Sequence, residues 1–505
     1  MSKKLFILGL FLFVGLSIAT SAMASGVTYY ISPSGNDSAD GLSEAASLKT
    51  IQKAVEAAAP GDTIKLAAGE YRQDIISRRD GTATAPIIIT GPTAAIIKGG
   101  GNGRVIEINH DYLTLTGFTV DGFYGSSVKS SSYRNILVFV LGKEKRDGVT
   151  GFKALNLVLK NSGGECLRLR YFVTHAEVAY NTISNCGILD FVFKAGGKNG
   201  EGIYVGTSNR QWGDGKNPTS DPDVTRDNLI HHNDINTNGN ECVDIKEGAT
   251  ANMVEYNTCR GQKDPDSGGL DARGSGNTFR YNTIRDSVGA GVRLGGALVK
   301  NVQYGKNNNV YNNVIENNKS GGIRFQVSPQ GQICGNQFSG NTGDDAVGDY
   351  GSKFKPAAAC PGSSTTGNVT LTPSTPAVNQ SPSNPSNSAQ TTASVTLANS
   401  VPASRSSLTP KFISCVFSRP LAISLMGEDI KCLQKFLNSV GFPVAAIGPG
   451  SRDNETPYFG PLTKRAVMAW QNSHALAILV PLGLTTGTGY WGPASMAYYL
   501  TAQSR

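Results

Sequence analysis

The amino-acid sequence predicts a mainly β protein built as a solenoid of stacked strands. One six-residue pattern occurs six times between residues 165 and 326, with starts about 22–40 residues apart, which is typical of solenoids. Its third and fifth positions are apolar in every copy, the period-two alternation of a strand. The 60 glycines and only 17% charged residues also favour turns and strands over helices. The copies are ECLRLR at 165–170, EGIYVG at 201–206, ECVDIK at 241–246, GGLDAR at 268–273, AGVRLG at 290–295 and GGIRFQ at 321–326.

Residues 1–24 are predicted to be a signal peptide. Lys3 and Lys4 precede an apolar run over 5–18, and Ala22-Met23-Ala24 follows as a small-x-small cleavage pattern. A retained N-terminal anchor is the alternative. No other stretch is long and apolar enough to be a transmembrane helix. The mature protein is therefore expected to be secreted or extracellular.

The segment after the signal predicts a strand at 29–32, a short helix and a second strand at 62–66. The helix has Ile51, Ala54, Val55 and Ala58 on one face, and Pro60-Gly61 closes it. The runs YYISPSGNDSADG, LKTIQKAVEAAAPGDTIKLAAGEY and IIITG resemble the N-terminal cap and first coils of the pectate-lyase-like superfamily. That resemblance implies a right-handed parallel β-helix over residues 25–360 and secreted polysaccharide lyases as its relatives.

A column of asparagines supports the same architecture independently. Each asparagine lies two residues before an apolar, inward position, and each is expected to hydrogen-bond its stacked neighbour at a turn where left-handed backbone angles occur. Their role is therefore predicted to be structural. The residues are Asn181, Asn233, Asn257, Asn282, Asn313 and Asn336.

The C-terminal part predicts a linker and a second domain. Residues 361–410 are rich in Ser, Thr, Pro and Asn, and Arg405 is the only charge, so this stretch is expected to be a disordered linker. Residues 411–505 contain GEDIKCLQKFLNSVGF, YFGPLTKRAVMAWQ and GLTTGTGYWGPAS, which resemble the peptidoglycan-binding domain family, a small three-helix module. The resemblance implies binding to peptidoglycan or cell-wall glycan, and we interpret the domain as a targeting module.

The eight cysteines are expected to form disulfides, because the chain is predicted to be exported. Sequential pairing is the simplest arrangement, although the sequence leaves other connectivities open. The sequential pairs are Cys166–Cys186, Cys242–Cys259, Cys334–Cys360 and Cys415–Cys432.

Stacking of the copies would place charged residues in rows on one face. The fourth position gives a row of Arg168, Tyr204, Asp244, Asp271, Arg293 and Arg324, and the sixth position gives Arg170, Lys246, Arg273 and Gln326. Lyases of the resembled fold remove a weakly acidic proton beside a uronate carboxylate, so they need a base and positive charge. Lys246 is assigned as the base, with a pKa lowered by the neighbouring guanidinium, and Arg273 as the partner of the substrate carboxylate.

The remaining polar residues of these rows are assigned to a cation and to substrate. Glu201, Glu241, Asp244 and Asp271 are candidate Ca²⁺ ligands, because calcium requires several oxygens at once. The candidate substrate-binding residues are Arg168, Arg170, Tyr204, Arg293 and Arg324. The inserted segment 207–226, with Trp212 and three aspartates, either lines the groove or is a solvated loop.

Three functions remain open at this point. A lyase acting on an acidic polysaccharide is the first, a non-catalytic glycan-binding or adhesin-like protein is the second, and a glycoside hydrolase is the third. The charged rows could also be ordinary cross-strand ion pairs. The Asp-Asp with Gly-His-Gly pattern of polygalacturonases and the Asp-Pro-His-Asp pattern of mannuronan epimerases are absent. The net charge of +8 fits an acidic glycan; no nucleic-acid partner is expected, and the protein is expected to be monomeric.

Overall fold

The computed structural model describes residues 26–360, 413–417, 419–422, 425–445, 450–479 and 487–503. The predicted signal peptide and the whole of the predicted linker lie outside these ranges. The chain divides into two compact units, residues 1–373 and 374–505, so the division falls within the predicted linker. The N-terminal unit is a parallel β-helix, and the described part of the C-terminal unit is helical.

Three parallel sheets run along the length of the β-helix, and each coil contributes one strand to each sheet. Sheet A has eleven strands: Thr28–Ile31, Thr63–Leu66, Ile87–Thr90, Leu113–Thr116, Lys153–Leu155, Glu177–Ala179, Leu229–His231, Met253–Glu255, Thr278–Arg280, Asn309–Tyr311 and Ile333–Cys334. Sheet B has ten: Gly69–Tyr71, Ala95–Ile97, Thr119–Asp121, Val158–Lys160, Thr182–Ser184, Asp234–Asn236, Thr258–Arg260, Thr283–Arg285, Val314–Glu316 and Gln337–Ser339.

Sheet C contains all six copies of the repeated pattern. Its strands are Ile75–Ile76, Arg104–Ile108, Ile136–Leu141, Leu167–Arg170, Ile203–Val205, Val243–Ile245, Gly268–Ala272, Ala290–Leu294, Ile323–Phe325 and Ala346–Val347. The third and fifth positions of every copy are buried in the core, as period-two alternation predicts. The fourth positions therefore face outward together, which makes sheet C the surface to search for a site.

Short helices and turns complete the β-helix. The helix Ile51–Ala57 caps the first coil and buries Ile51, Ala54 and Val55, as predicted. The remaining elements of this unit are the helix Ile188–Phe191, the 3₁₀ turns Ser130–Ser132, Asn209–Gln211 and Gly351–Lys353, and the antiparallel pair Leu298–Val299 with Val302–Gln303.

The asparagine column is present and forms a continuous hydrogen-bonded chain. Each side-chain amide donates to the carbonyl oxygen of the next asparagine side chain at 2.8–3.0 Å. The left-handed backbone belongs to the residue before each asparagine, for example Tyr256 at φ 54° and Tyr281 at φ 56°. The prediction of a structural column is thus confirmed, but the strained position within it was misplaced by one residue.

The C-terminal unit has helices Glu428–Ser439, Pro461–Ser473, Ala475–Ile478 and Pro493–Gln503. The apolar stripes of two of these helices, Ile430, Leu433 and Leu437 on one and Ala466, Val467 and Trp470 on the other, are buried in one core. All four predicted disulfides are formed, three in the β-helix and one in the C-terminal unit. Among the described residues, no helix has the length and apolarity to cross a membrane.

Candidate functional site

The predicted outward row exists with the expected register. Arg168 pairs with Tyr204, Tyr204 with Asp244, Asp244 with Asp271, and the row continues through Arg293 and Arg324. Toward the N-terminus the same row passes through Phe139, Glu107 and Ile76, which sequence reasoning did not include. One line of outward side chains therefore runs along sheet C from the second coil to the last.

The middle of this row is far more buried than a solvated surface would be. Asp244 is 1% exposed, Asp271 0% and Tyr204 4%. The inserted segment 207–226 contributes to the burial: Gln211 accepts a hydrogen bond from Arg168 at 2.8 Å, and Asn217 accepts one from Arg170 at 2.7 Å. The sequence left open whether this segment lines the groove or is a solvated loop, and the structure supports the first alternative.

A central cleft of about 390 Å³ opens above these residues. Tyr204, Asp244, Lys246, Arg273 and Arg293 line its floor and sides, together with Glu201 and Glu241 from the first position of their copies. Residues of the insertion, including Ser208 and Gln211, lie along one side, and Lys198, Asp264 and Asp266 lie along the other. Lys198 joins that second wall by ion pairs to Asp264 at 2.8 Å and Asp266 at 3.0 Å.

Lys246 and Arg273 lie side by side, as predicted. The Lys246 ammonium contacts Asp244 and lies 3.7 Å from Glu201. Arg273 lies 3.9 Å from Asp244 and 3.7 Å from Glu247. Lys246 also lies 4.3 Å from the centre of the Tyr204 ring, and Arg168 lies 4.2 Å from it.

The predicted lowering of the Lys246 pKa is wrong. Burial alone would lower it, and Arg273 acts in the same direction, but the Asp244 carboxylate in direct contact, together with Tyr204 and Glu201, outweighs both and raises the pKa of Lys246. The sequence showed the neighbouring guanidinium but not the distance to the carboxylate. Without another cation in the cleft, Lys246 is a firmly held ammonium group.

Three of the predicted metal ligands form one group. Glu201, Glu241 and Asp244 are buried, and one oxygen from each lies within 4.8 Å of the others. The fourth, Asp271, is outside this group and pairs with Arg293. Glu241 Oε2 and Asp244 Oδ1 are buried without a hydrogen-bond partner. The group therefore has acceptor oxygens to spare, and they converge on one point of the cleft.

The charges of this cluster do not balance. Ion pairs connect five carboxyl groups, those of Glu201, Glu241, Asp244, Glu247 and Asp271, with three cations, Lys246, Arg273 and Arg293. Two negative charges are thus in excess, and two bound protons or one divalent cation would neutralise them. Glu247 also accepts a hydrogen bond from the backbone N–H of Asn209 at 3.2 Å. Sequence reasoning missed this residue because it lies just beyond its copy of the repeat.

The pKa values of the carboxyls reflect the same imbalance. Burial and the neighbouring carboxylates Glu165 and Asp244 raise the pKa of Glu201 to about 7. Burial, Asp244 and Glu201 raise the pKa of Glu241 to about 8. Burial also acts on Asp244, but Lys246 and Arg273 outweigh it and lower its pKa. Near neutral pH the cleft accordingly holds protonated and ionised carboxyls side by side.

The predicted substrate-binding arginines divide into two groups. Arg168 and Arg170 are nearly buried, and their guanidinium groups are bonded to Glu165, Gln211 and Asn217, so they anchor the insertion. Arg293 lines the central cleft, and Arg324 donates to the carbonyl oxygen of Pro265 at 3.2 Å. The first group supports the groove wall, whereas Arg293 is placed at the cleft itself.

Comparisons with known proteins agree with the architecture of both units. Residues 167–357 match the family model described as "Right handed beta helix region", and residues 426–478 match "Putative peptidoglycan binding domain". The β-helix is therefore right-handed, and the C-terminal unit contains a peptidoglycan-binding-type domain. The four disulfides and this domain fit an extracellular or cell-wall-associated protein. No curated protein matches the sequence.

Several solved structures align with this chain at low sequence identity. An alginate lyase from Paenibacillus sp. str. FPU-7 aligns with 58% of this chain and 96% of its own, at 19% identity and a TM-score of 0.44. The pectate lyase Pel9A aligns with 68% of this chain and 83% of its own, at 15% identity and a TM-score of 0.46. The lacto-N-biosidase from Eubacterium ramulus aligns with 62% and 68%, at 13% identity and a TM-score of 0.33.

Proposed function

We propose that the β-helix cleaves an acidic, uronate-containing polysaccharide by β-elimination in the central cleft. The observation that carries the proposal is that Lys246 and Arg273 contact Asp244, and Lys246 also Glu201, within a group of three buried carboxyls completed by Glu241 in an open cleft. β-Elimination requires positive charge to neutralise the carboxylate of the sugar and a base close to the adjacent proton. Both kinds of group are present within one cluster.

The three carboxyls fit a divalent cation such as Ca²⁺. Their oxygens lie within 4.8 Å of one another, which suits ligands that each approach calcium at about 2.3–2.6 Å. The unpartnered oxygens of Glu241 and Asp244, and the two excess negative charges, also suit it. Glu201, Glu241 and Asp244 would hold the ion, which when bound would supply positive charge to the sugar carboxylate.

Arg273 and Lys246 then have distinct roles. Arg273 keeps its charge and faces the cleft, so it binds the substrate carboxylate. Lys246 would accept the proton in its neutral form, which the adjacent Asp244 and Glu201 carboxylates disfavour. A cation held by those carboxylates would weaken their hold on the Lys246 proton, so cleavage is expected to be lost when divalent cations are removed.

The first experiment incubates the full chain with pectate, alginate and glycosaminoglycans, in calcium and in chelator, and follows the ultraviolet absorbance of unsaturated uronate. We expect a rise on one polymer in calcium only. Lys246→Ala should abolish the rise, whereas Lys153→Ala, at an exposed ion pair on sheet A, should keep it. Full turnover by a folded Lys246→Ala variant contradicts its assignment as the base.

A glycoside hydrolase is the second candidate, and one observation favours it. Without a cation, Glu201 and Glu241 retain protons up to about pH 7–8 beside the ionised Asp244, which is an acid–base arrangement used for hydrolysis. New reducing ends without unsaturated uronate, produced equally well in chelator, would select this function over the lyase. Binding to a polymer with neither product would select a glycan-binding protein.

For the C-terminal unit, we propose binding to peptidoglycan or cell-wall glycan. The match over residues 426–478 supports this role, and the unit has its own buried core. Sedimentation with insoluble peptidoglycan tests it directly. The full chain should sediment and a chain ending at Cys360 should not; equal sedimentation of both would assign the binding to the β-helix instead.

A further inference from the structure

A second cleft of about 490 Å³ adjoins the central one on sheet C. Asn199 and Gln211 line both clefts, so the two are continuous. The second cleft lies toward the N-terminus, over the strands Ile75–Ile76, Arg104–Ile108 and Ile136–Leu141. It was not foreseen from the sequence, because the repeated pattern begins only after these strands.

The second cleft is lined mainly by polar side chains, with an exposed apolar residue, Ile76, in its outward row. Ile76 is 44% exposed although its neighbours in the outward row are charged or covered. The Phe139 ring lies in the same row and is covered by the Arg104 guanidinium, 3.8 Å from the ring centre. Ile136, Leu141 and Tyr171 join Phe139 in a small hydrophobic cluster outside the main core. Phe139 is buried, and Glu107 separates it from Ile76 in the row, so the exposed Ile76 side chain provides the apolar surface for the carbon–hydrogen face of a sugar.

Cations also line this cleft. Four basic residues, Arg104, Arg168, Arg170 and Lys216, line the cleft against three carboxylates. Arg168 and Arg170 are committed to the insertion, but Arg104 and Lys216 remain 37% and 67% exposed at their side chains. Lys143 also pairs with Glu107, the carboxylate partner of Arg104, at 3.0 Å, so Arg104 can reach toward a ligand without leaving Glu107 unpaired.

We propose that the second cleft is a saccharide subsite for an acidic sugar. Ile76 lies against its apolar face, and Arg104 and Lys216 bind its carboxylate. Phe139 is three strand positions from Asp244, about 14 Å along the sheet, so one polysaccharide chain can occupy both clefts. The identity of the ligand rests on the proposed function, because it is the same polymer that is cleaved in the central cleft.

The test separates binding from cleavage. The wild-type full chain and the double variant Arg104→Gln, Lys216→Gln are run through native gels containing pectate, alginate or hyaluronan, with chelator present to prevent turnover. Polymer binding retards migration and gives an affinity. The matched control is Arg226→Gln, which removes a half-exposed arginine whose ion pair with Asp227 lies outside both clefts.

We expect one polymer to retard the wild type and Arg226→Gln equally, and the double variant about tenfold more weakly, because two charged contacts are lost. Equal retardation of the double variant, shown to be folded by circular dichroism, overturns the subsite. So does a wild-type chain that no polymer retards. A wild type that is retarded more than the double variant but yields no product in calcium overturns the proposed cleavage and supports the subsite.

Discussion

Two columns of polar side chains run along the same β-helix, and they differ in how completely their atoms are paired. In the asparagine column, Asn257 donates to Ile230, Glu255 and Asn282 and accepts from the backbone and side chain of Asn233. In the row on sheet C, buried oxygens of Glu241, Asp244 and Asp271 have no hydrogen-bond partner. Both columns are buried, so exposure to water does not explain the difference.

The difference separates a structural column from a functional one. Buried polar atoms are normally paired, because each unpaired one costs about 1–3 kcal/mol. The asparagine column obeys this rule in every coil that it crosses from residue 181 to 336. The row on sheet C and the residues flanking it depart from this rule at the carboxyls of Glu241, Asp244 and Asp271 and at the Nε atoms of Arg168, Arg273 and Arg293. Glu241 and Asp244 line the cleft and belong to the cluster with excess negative charge, which is the pattern expected where a ligand supplies the missing partner.

The largest expected effect comes from breaking the paired column. Asn257→Ala removes five hydrogen bonds within the column and leaves buried groups unpaired, so it should lower the free energy of unfolding by about 3–5 kcal/mol. Chemical denaturation followed by circular dichroism measures this. The control Thr258→Ala changes the next, half-buried residue and should cost less than about 1 kcal/mol. Similar losses for both variants would contradict the column's structural role.

The next effect is a pH dependence that comes from the unpaired row. The folded-state pKa values of Glu201 and Glu241, about 7 and 8, exceed the ordinary 4.5, so the folded protein binds more protons above pH 4.5 than the unfolded chain. Stability contributed by these groups is present below about pH 4.5 and is lost as the pH rises toward 8. In chelator, the denaturation midpoint should therefore fall over this range, and calcium should reduce the fall.

Two variants test whether the carboxyls of the cleft cause this fall in stability with rising pH. Glu241→Gln cannot ionise, so it should flatten the fall in stability between about pH 4.5 and 8. Glu177 on sheet A is the matched control: burial opposes its ionisation, but His231 and Lys153 prevail and lower its pKa to about 2. Its contribution is present above pH 4.5 and is lost only below it, so Glu177→Gln should leave the slope above pH 5 unchanged. If Glu241→Gln left the pH dependence of stability unchanged, the carboxyls of the cleft would not be its cause.

Sequence alone was sufficient for the fold and for the register of the row. Period-two alternation fixes which face each residue occupies, and a repeated pattern fixes which residues become neighbours, so Tyr204, Asp244 and Asp271 were placed correctly. A second asparagine column, Asn228, Asn252, Asn277 and Asn308, was missed. Its signal was present, because each member lies five residues before a member of the first column.

The properties of the site could not be predicted in the same way. The pKa of Lys246 depends on its contact with Asp244, and side-chain contacts are decided by rotamers and burial rather than by register. The burial of Arg168 and Arg170 depends on where the insertion packs, and its sequence gives no register against sheet C. The second cleft depends on coils that precede the repeated pattern. The repeated pattern therefore predicts the path of the backbone and the residues of the outward rows. It does not predict side-chain contacts or the pKa values that depend on them.

The smallest expected effect is that of Lys153→Ala, and setting it beside Lys246→Ala keeps the chemistry of a lysine–carboxylate pair while changing only its surroundings. Lys153 and Glu177 form a lysine–carboxylate pair at 2.8 Å on sheet A, with the lysine 46% exposed, whereas Lys246 in its pair with Asp244 is 7% exposed. Lys153→Ala should cost less than about 1 kcal/mol in the free energy of unfolding, since water screens an exposed pair. Lys246→Ala should cost about 3–5 kcal/mol, because it leaves buried carboxylates without their cation, and calcium should restore part of that loss by taking its place. If calcium stabilised the Lys153→Ala and Lys246→Ala proteins equally, the carboxyls of the cleft would have no special affinity for a cation. The unpaired row would then be structural, like the asparagine column.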